Sequence, residues 1–302
     1  MTDPKSTGTI AFIGLGHMGE PMADRLVARG FSLRVYDKRS EIVDAFVRDH
    51  GGVAAGSVAD AASSATTAIT MLPDDAAVRA VMLDEGGVAQ SLPRGGVAID
   101  MGTSSPGSTT AIAAHFAGTG LAYIDAPVMG GVPFAREGSL DIMAAGDPAA
   151  VERCLPIFAA LGRHTWRCGA SGSGHALKAI ANFANAATFI VHLEAMTIGR
   201  KFGLETTFMT QALVSMCAGR QHPLEKKIAP QVVTRRFNTG MAMGLIAKDV
   251  GIAAELAHEI GARSSVVDQT QALWREAVDR YGFAHDQAEV VRLWEDASGV
   301  EL

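Results

Sequence analysis

The run Gly14-Leu15-Gly16-His17-Met18-Gly19 restricts the fold more than any other part of the sequence. A short apolar run, Thr9 to Gly14, precedes it, and a segment with helical spacing, Met18 to Gly30, follows and closes on a glycine. A second apolar run, Ser32 to Asp37, ends in a carboxylate eighteen residues beyond Gly19. A glycine turn alone is common. A strand before it, a helix after it and an acid at the end of the next strand are the context of a dinucleotide-binding unit. In that unit Gly14 permits the tight turn, Gly16 lets backbone amides approach a pyrophosphate, and Gly19 seats the helix close to the strand. Leu15, His17 and Met18 belong to the same cradle, where phosphates meet the positive end of a helix dipole. Asp37 is placed to accept bonds from the adenosine ribose hydroxyls and to repel a 2'-phosphate, which favours NAD. Lys38 and Arg39 follow at once and could pair with that phosphate, so NADP stays open.

Strand and helix periods alternate through the first half of the chain. Further strands are expected at Ala68 to Met71, Val97 to Met101, Tyr123 to Ala126 and Leu140 to Ala145. Helices are expected at Ala76 to Leu83, Ser108 to Thr119 and Pro148 to Leu161, with another opening at Ser40 as N-cap. This alternation predicts an α/β fold, a doubly wound, mostly parallel sheet. After Gly162 the texture changes. A long alanine-rich helix is expected from Gly174 to about Lys201, then helices at Glu205 to Cys217, Gly244 to Ile260, Ser265 to Tyr281 and Asp286 to Ala297. The expected division is a Rossmann domain over 1–167 and an all-helical domain over 168–302, joined by the long helix. The 302 residues suit two cores better than one.

Composition narrows the function classes. A net charge of −6 with no basic stripe argues against a nucleic-acid partner. No run of eighteen residues is free of polar groups, and the nearest, Ala179 to Met196, holds Asn182, Asn185, His192 and Glu194, so no membrane span is expected. The first apolar run leads straight into Gly14, as a core strand does and a signal peptide does not. Cys154, Cys168 and Cys217 are scattered and lack metal-ligand spacing, which fits indifferent thiols in a cytoplasmic protein without a metal.

Several blocks, in order, resemble the 3-hydroxyisobutyrate dehydrogenase family of beta-hydroxyacid dehydrogenases, which includes tartronate semialdehyde reductases. The opening Gly14 to Ala23 looks like the family signature, and Met71-Leu72-Pro73-Asp74 like its loop over the cofactor. Asp100-Met101-Gly102-Thr103-Ser104-Ser105-Pro106 is similar to D-x-S-T-x-S-P, and Asp125-Ala126-Pro127-Val128-Met129-Gly130-Gly131 to the substrate-carboxylate loop D-A-P-V-S-G-G. Gly172-Ser173-Gly174 with Lys178 and Asn182 resembles the catalytic helix, and Lys248-Asp249 the cofactor-side pair. The resemblance covers about residues 9 to 253. It implies reversible hydride transfer between a nicotinamide cofactor and a short 3-hydroxy acid or its semialdehyde. Lys178 would be the catalytic acid/base, with Thr103, Met129, Gly130, Gly131 and Asn182 on substrate. Leu72, Pro73, Thr103 and Lys248 would join the glycine turn on the cofactor.

The residues themselves support this chemistry. Moving hydride from a carbinol carbon requires a proton to move on its oxygen. Lys178 stands one turn into a helix among Ala176, Leu177, Ala179 and Ile180, surroundings that would lower a lysine pKa from about 10.4 toward a useful range. Asn182 lies four residues on, on the same helical face. Adjacent glycines at 130 and 131 offer bare amides for a carboxylate. The loops also depart from the family. Met129 and Gly102 each replace a serine, Phe134 replaces a small residue, and Phe237-Asn238-Thr239-Gly240-Met241 stands near an F-x-P-G-F segment. These changes leave the reaction type in place and open the identity of the acid. Arg220 and His222 read either as a solvated loop or as a further cationic contact.

An imine reductase shares the fold but usually lacks a lysine at the catalytic place. Decarboxylating phosphogluconate dehydrogenases share motifs but carry a larger helical domain. A non-catalytic dinucleotide-binding protein would tend to lose Lys178. Family resemblance alone implies a homodimer or homotetramer.

Overall fold

The computed structural model describes residues 8–218 and 222–302. The chain falls into two compact units, Met1–Phe183 and Ala184–Leu302, and the boundary lies inside the long helix.

The first unit is built on a nine-stranded sheet: β1 (Thr9–Ile13), β2 (Ser32–Tyr36), β3 (Val53–Ala54), β4 (Thr67–Thr70), β5 (Val97–Asp100), β6 (Ala122–Asp125), β7 (Val128–Met129), β8 (Leu140–Gly146) and β9 (Gly162–Gly169). The order β3-β2-β1-β4-β5-β6-β8-β7, with β9 beside β8, reverses direction around β1, as in a doubly wound sheet. The pairs from β3 through β6 are parallel, whereas β8 runs antiparallel to both β6 and β7. Alternation along each strand fills both faces. Ile10, Phe12, Ile69, Ile99 and Ile124 face one apolar core, and Ala11, Ile13, Ala68, Ala98 and Tyr123 face the other.

Most expected elements are present, and Pro148–Leu161 and Ser265–Tyr281 match residue for residue. Four differences have physical causes. Ser40 is the first helical residue, and its expected N-cap position belongs to Arg39, whose side chain makes no capping bond. The change of texture at Gly162 is not the end of the sheet, because β9 still pairs with β8 over Gly162 to Gly169. Its polar, outward-facing edge hid the strand pattern. The stretch from Asp286 to Ala297 is a 3-10 turn, Gln287–Val291, followed by a short α-helix, Arg292–Ser298. A π-helix, Leu224–Val232, also went unforeseen, since Pro230 inside it breaks the α pattern.

The second unit, taken by itself, is helical, with small cores around Met243, Ala277 and Leu293 and around Val232, Ala288 and Val291. The 30-residue helix Ser173–Phe202 is long and apolar enough, by length and composition, to cross a membrane. Within the second unit its Glu194 is committed to protein: Oε1 accepts the Val266 and Val267 N–H groups, both at 2.8 Å. The Ser265 hydroxyl donates to Oε2, so this carboxylate satisfies the start of the helix Ser265–Tyr281.

Candidate active site

The glycine turn has the geometry its sequence demands. Gly14 has φ +99°, and a Cβ there would lie 2.4 Å from the Met71 carbonyl oxygen. A Cβ on Gly19 would lie 1.9 Å from the Gly14 carbonyl oxygen, so helix Gly19–Ala28 seats directly on the turn. At Gly16 the same construction meets nothing within 4 Å; there the backbone faces open space. Gly14, Gly16, His17, Met18 and Gly19 line a cleft of about 580 Å³. Asp37 lines it as well, as do Leu72 and Pro73 from the segment after β4. Bare amides at a helix start, room beside Gly16 and a carboxylate at the tip of β2 fit a dinucleotide.

Asp37 is held on both oxygens. Oδ2 accepts the Leu15 N–H at 2.9 Å, and Oδ1 accepts both the Arg39 N–H and its Nε–H at 3.0 Å. Burial works against the charge, but the Arg39 guanidinium and the two amides prevail and hold the carboxyl below its ordinary range. The Arg39 guanidinium is thus tethered to the carboxylate that was expected to repel a 2'-phosphate.

At the carboxyl ends of β4, β5 and β6 the register aligns Thr70 with Asp100 and Asp100 with Asp125. Asp100 and Asp125 are fully buried, and each accepts bonds from the segments that carry the expected substrate residues. The Asp100 carboxylate takes the Gly102 N–H at 3.0 Å, the Ser104 hydroxyl at 2.7 Å and the Thr70 hydroxyl at 3.2 Å, bracketing Thr103 in an ordered loop. A Cβ at Gly102 would lie 3.1 Å from both Asp100 Oδ1 and the Leu72 carbonyl, so glycine in place of serine suits a tighter turn. Asp125 takes the Gly172 N–H at 2.9 Å and the His175 N–H at 3.1 Å, fixing the entry of the lysine helix.

Lys178 follows one turn later. Its side chain is buried, with Nζ 3.6 Å from the Met129 sulfur. Burial pushes the amine below the ordinary lysine range. A thioether is a weak acceptor, so the amine is held in a dry place with little to stabilise its charged form. Met129, the residue standing for serine, is therefore a direct neighbour of the expected acid/base. Gly130 has φ +137°, and a Cβ there would lie 2.9 Å from Phe134 Cβ; the bulky Phe134 packs across the glycine backbone. Gly131 has φ +82° with open space beside it.

Lys178, Met129, Gly130 and Gly131 thus come together in the first unit. Thr103 and Asn182 are exposed residues of the same unit. Lys248 belongs to the second unit, where it is exposed and paired with Asp249 at 2.9 Å. His222 is half-buried in a loop of that unit, and Arg220 lies outside the described residues. Sequence reading missed His175, a fully buried histidine three residues before Lys178, and the pairing of Asp100 with Asp125. The signal was present: both aspartates end apolar strand runs, Val97-Ala98-Ile99-Asp100 and Ala122-Tyr123-Ile124-Asp125, at the end of a parallel sheet where ligands bind.

The family model for the NAD-binding domain of 6-phosphogluconate dehydrogenase matches residues 9–171. The model described as the NAD-binding domain of NADP-dependent 3-hydroxyisobutyrate dehydrogenase matches residues 172–294. The NAD-dependent L-serine dehydrogenase of Pseudomonas aeruginosa is 32% identical over 96% of this chain and 99% of its own. The 3-sulfolactaldehyde reductase of Escherichia coli is 34% identical over 83% of this chain and 84% of its own. Among solved structures, 3-hydroxyisobutyrate dehydrogenase of Mycobacterium tuberculosis with L-serine is 27% identical, with a TM-score of 0.66 over 95% of this chain and 99% of that one. An imine reductase of Myxococcus stipitatus superposes with a TM-score of 0.83 over 95% of this chain and 99% of its own; at 21% identity it shares the fold. With the glycine cradle, the paired aspartates and the buried lysine in place, the chain belongs to the 3-hydroxyisobutyrate dehydrogenase-like family of NAD(P)-dependent oxidoreductases.

Proposed function

We propose that this protein oxidises a short 3-hydroxy acid to its semialdehyde, or reduces the semialdehyde, with NAD preferred over NADP and Lys178 as acid/base. One observation carries the reading: a lysine amine buried beside the glycine-pair loop, its charged form disfavoured. The substrates named for its relatives, an L-serine dehydrogenase and a 2-(hydroxymethyl)glutarate dehydrogenase, agree with it. Serine and 2-(hydroxymethyl)glutarate both present a hydroxymethyl group one carbon from a carboxylate.

When bound, the nicotinamide supplies the acceptor or donor of hydride. The protein's residues do the rest. Gly130 and Gly131 offer amides to the substrate carboxylate, Thr103 and Asn182 hold its polar groups, and the carbinol oxygen meets Lys178 Nζ. In oxidation the neutral amine takes the hydroxyl proton as hydride leaves carbon; in reduction the ammonium returns it. Lys248 is assigned to the cofactor on resemblance.

A panel of 3-hydroxyisobutyrate, serine, glycerate, 3-hydroxypropionate, 4-hydroxybutyrate and threonate, followed by nicotinamide absorbance with each cofactor, tests the reading. Turnover on at least one 3-hydroxy acid is expected, and silence across the panel would sink it. The specificity constant should be higher with NAD, because Asp37 faces the ribose. The Asp37–Arg39 pair makes that preference modest: roughly tenfold, a difference of about 1.4 kcal/mol. Equal constants would refute it.

Met129→Ser should raise kcat/KM on the shortest acids and lower it on the best substrate, each by about three- to tenfold. The change restores a hydroxyl to the carboxylate loop and removes the sulfur from the lysine. A uniform loss across the panel would show that Met129 does not set specificity.

For the assembly we infer a homodimer or homotetramer in the cytoplasm, acting on a small molecule, with neither nucleic acid nor membrane as partner. Ile180, Phe183, Phe189 and Ile190 of the long helix are more than half exposed, an apolar surface suited to another copy of the chain. Three free thiols and the net negative charge are consistent with the rest.

A further inference from the structure

His175 is fully buried, and its hydrogen bonds can be followed atom by atom. Its ring Nδ1 lies 2.7 Å from Thr109 Oγ1. Thr109 donates its one hydroxyl hydrogen to the Ser105 carbonyl at 2.9 Å, so toward the ring it accepts, and Nδ1 carries a proton. Nε2 has no hydrogen-bond partner and lies 3.6 Å from Asp100 Oδ2. Asp125 Oδ2 is 3.9 Å from Nδ1 and bonded to the residue's own N–H. Asp75, from helix Asp75–Leu83, completes the charged surroundings through its bonds to Ser105. A leucine would fill this space without leaving a buried nitrogen unpaired, and such a nitrogen calls for an explanation.

We propose that His175 is a positioning residue that ties the Thr103 loop to the lysine helix. Its backbone binds the end of β6, its Nδ1 binds the helix Pro106–Phe116, and its Nε2 abuts the carboxylate that orders Gly102 to Ser104. The two bonds, from the backbone N–H to Asp125 and from Nδ1 to Thr109, set where the next turn places Lys178, and so how dry its amine is. The inference rests on the reading of Lys178 as acid/base.

The test follows Lys178 itself as well as turnover. In cofactor-free protein, the rate at which an amine-reactive reagent labels Lys178 is read against pH by peptide mass spectrometry. In the alcohol-oxidising direction, kcat, KM and the pH at which kcat rises are read on the best panel substrate. His175→Leu should move both pH midpoints upward as the amine gains water, and should lower kcat by roughly 10- to 100-fold with dinucleotide Kd within about twofold. His175→Asn, which keeps a donor near the Nδ1 place, should recover part of both. Thr109→Val should shift the midpoints in the same direction as His175→Leu, and carries the test with His175→Asn if the leucine variant does not fold. Unmoved midpoints in the folded variants, with only a lower Tm, would overturn the proposal. Normal turnover in Lys178→Ala would instead overturn the reading of Lys178 and this inference with it.

Discussion

Replacing Lys178 with alanine is expected to lower turnover by roughly 10²–10⁴ while leaving dinucleotide affinity nearly unchanged. That range corresponds to about 2.7–5.5 kcal/mol of transition-state stabilisation, the scale of a positioned proton acceptor. The split follows from the fold. The glycine cradle and Asp37 are built on β1, β2 and helix Gly19–Ala28, whereas Lys178 is carried by a separate helix tied to the end of β6. Losing the amine leaves the cradle intact. The wild-type pH profile gives a second check. Because burial disfavours the ammonium, the neutral amine is available at lower pH than an ordinary lysine would allow. Oxidation should therefore rise with pH through a midpoint below the usual lysine range, and reduction should fall through the same midpoint. Lys178→Arg, always charged, should be as inactive as alanine in oxidation. Isothermal titration with the dinucleotide and steady-state assays in both directions measure all of this. Near-normal turnover in Lys178→Ala would remove the lysine from the mechanism.

Much of this is legible in the sequence, and the reason differs by region. The βαβ unit announces itself because two of the three glycines in its turn, Gly14 and Gly19, are required by contacts a Cβ would violate, most severely at Gly19. Met129 could be flagged as a departure from a pattern. That its sulfur would lie on Lys178 could not, since the two residues are 49 apart in sequence and meet only through the packing of the lysine helix. The Asp100–Asp125 pair depends on strand register across a crossover, which no local pattern encodes. His175 was hidden for a related reason: a histidine in an alanine-rich helix carries no periodic signal, and its burial is decided by Thr109, 66 residues away. β9 was missed because an edge strand with polar residues on one face looks like a loop. What sequence pattern conveys well is therefore the cofactor half of the site. The substrate half is assembled from loops whose neighbours are set by tertiary contacts.

Two glycines in the turn should respond differently to the same methyl group. Gly19→Ala places a Cβ 1.9 Å from a backbone oxygen, which cannot swing away as a side chain could. Helix Gly19–Ala28 must therefore back off the turn, at a cost of about 1–3 kcal/mol for overpacking. Because Met22, Ala23 and Leu26 of that helix are fully buried in the core, the displacement is felt through the whole first unit. A fall in Tm on the order of 5 °C is expected, together with at least a tenfold loss of dinucleotide affinity. Gly16→Ala meets no atom within 4 Å and no left-handed backbone, so its Tm should stay within about one degree of wild type. Its methyl nevertheless projects from the wall that the pyrophosphate must approach, and affinity should fall by a comparable factor. Stability thus separates the variants while binding unites them. Thermal unfolding without cofactor and direct dinucleotide titration decide the matter: if Gly16→Ala binds normally, the phosphates do not lie against that backbone, and the cradle holds its ligand in another way.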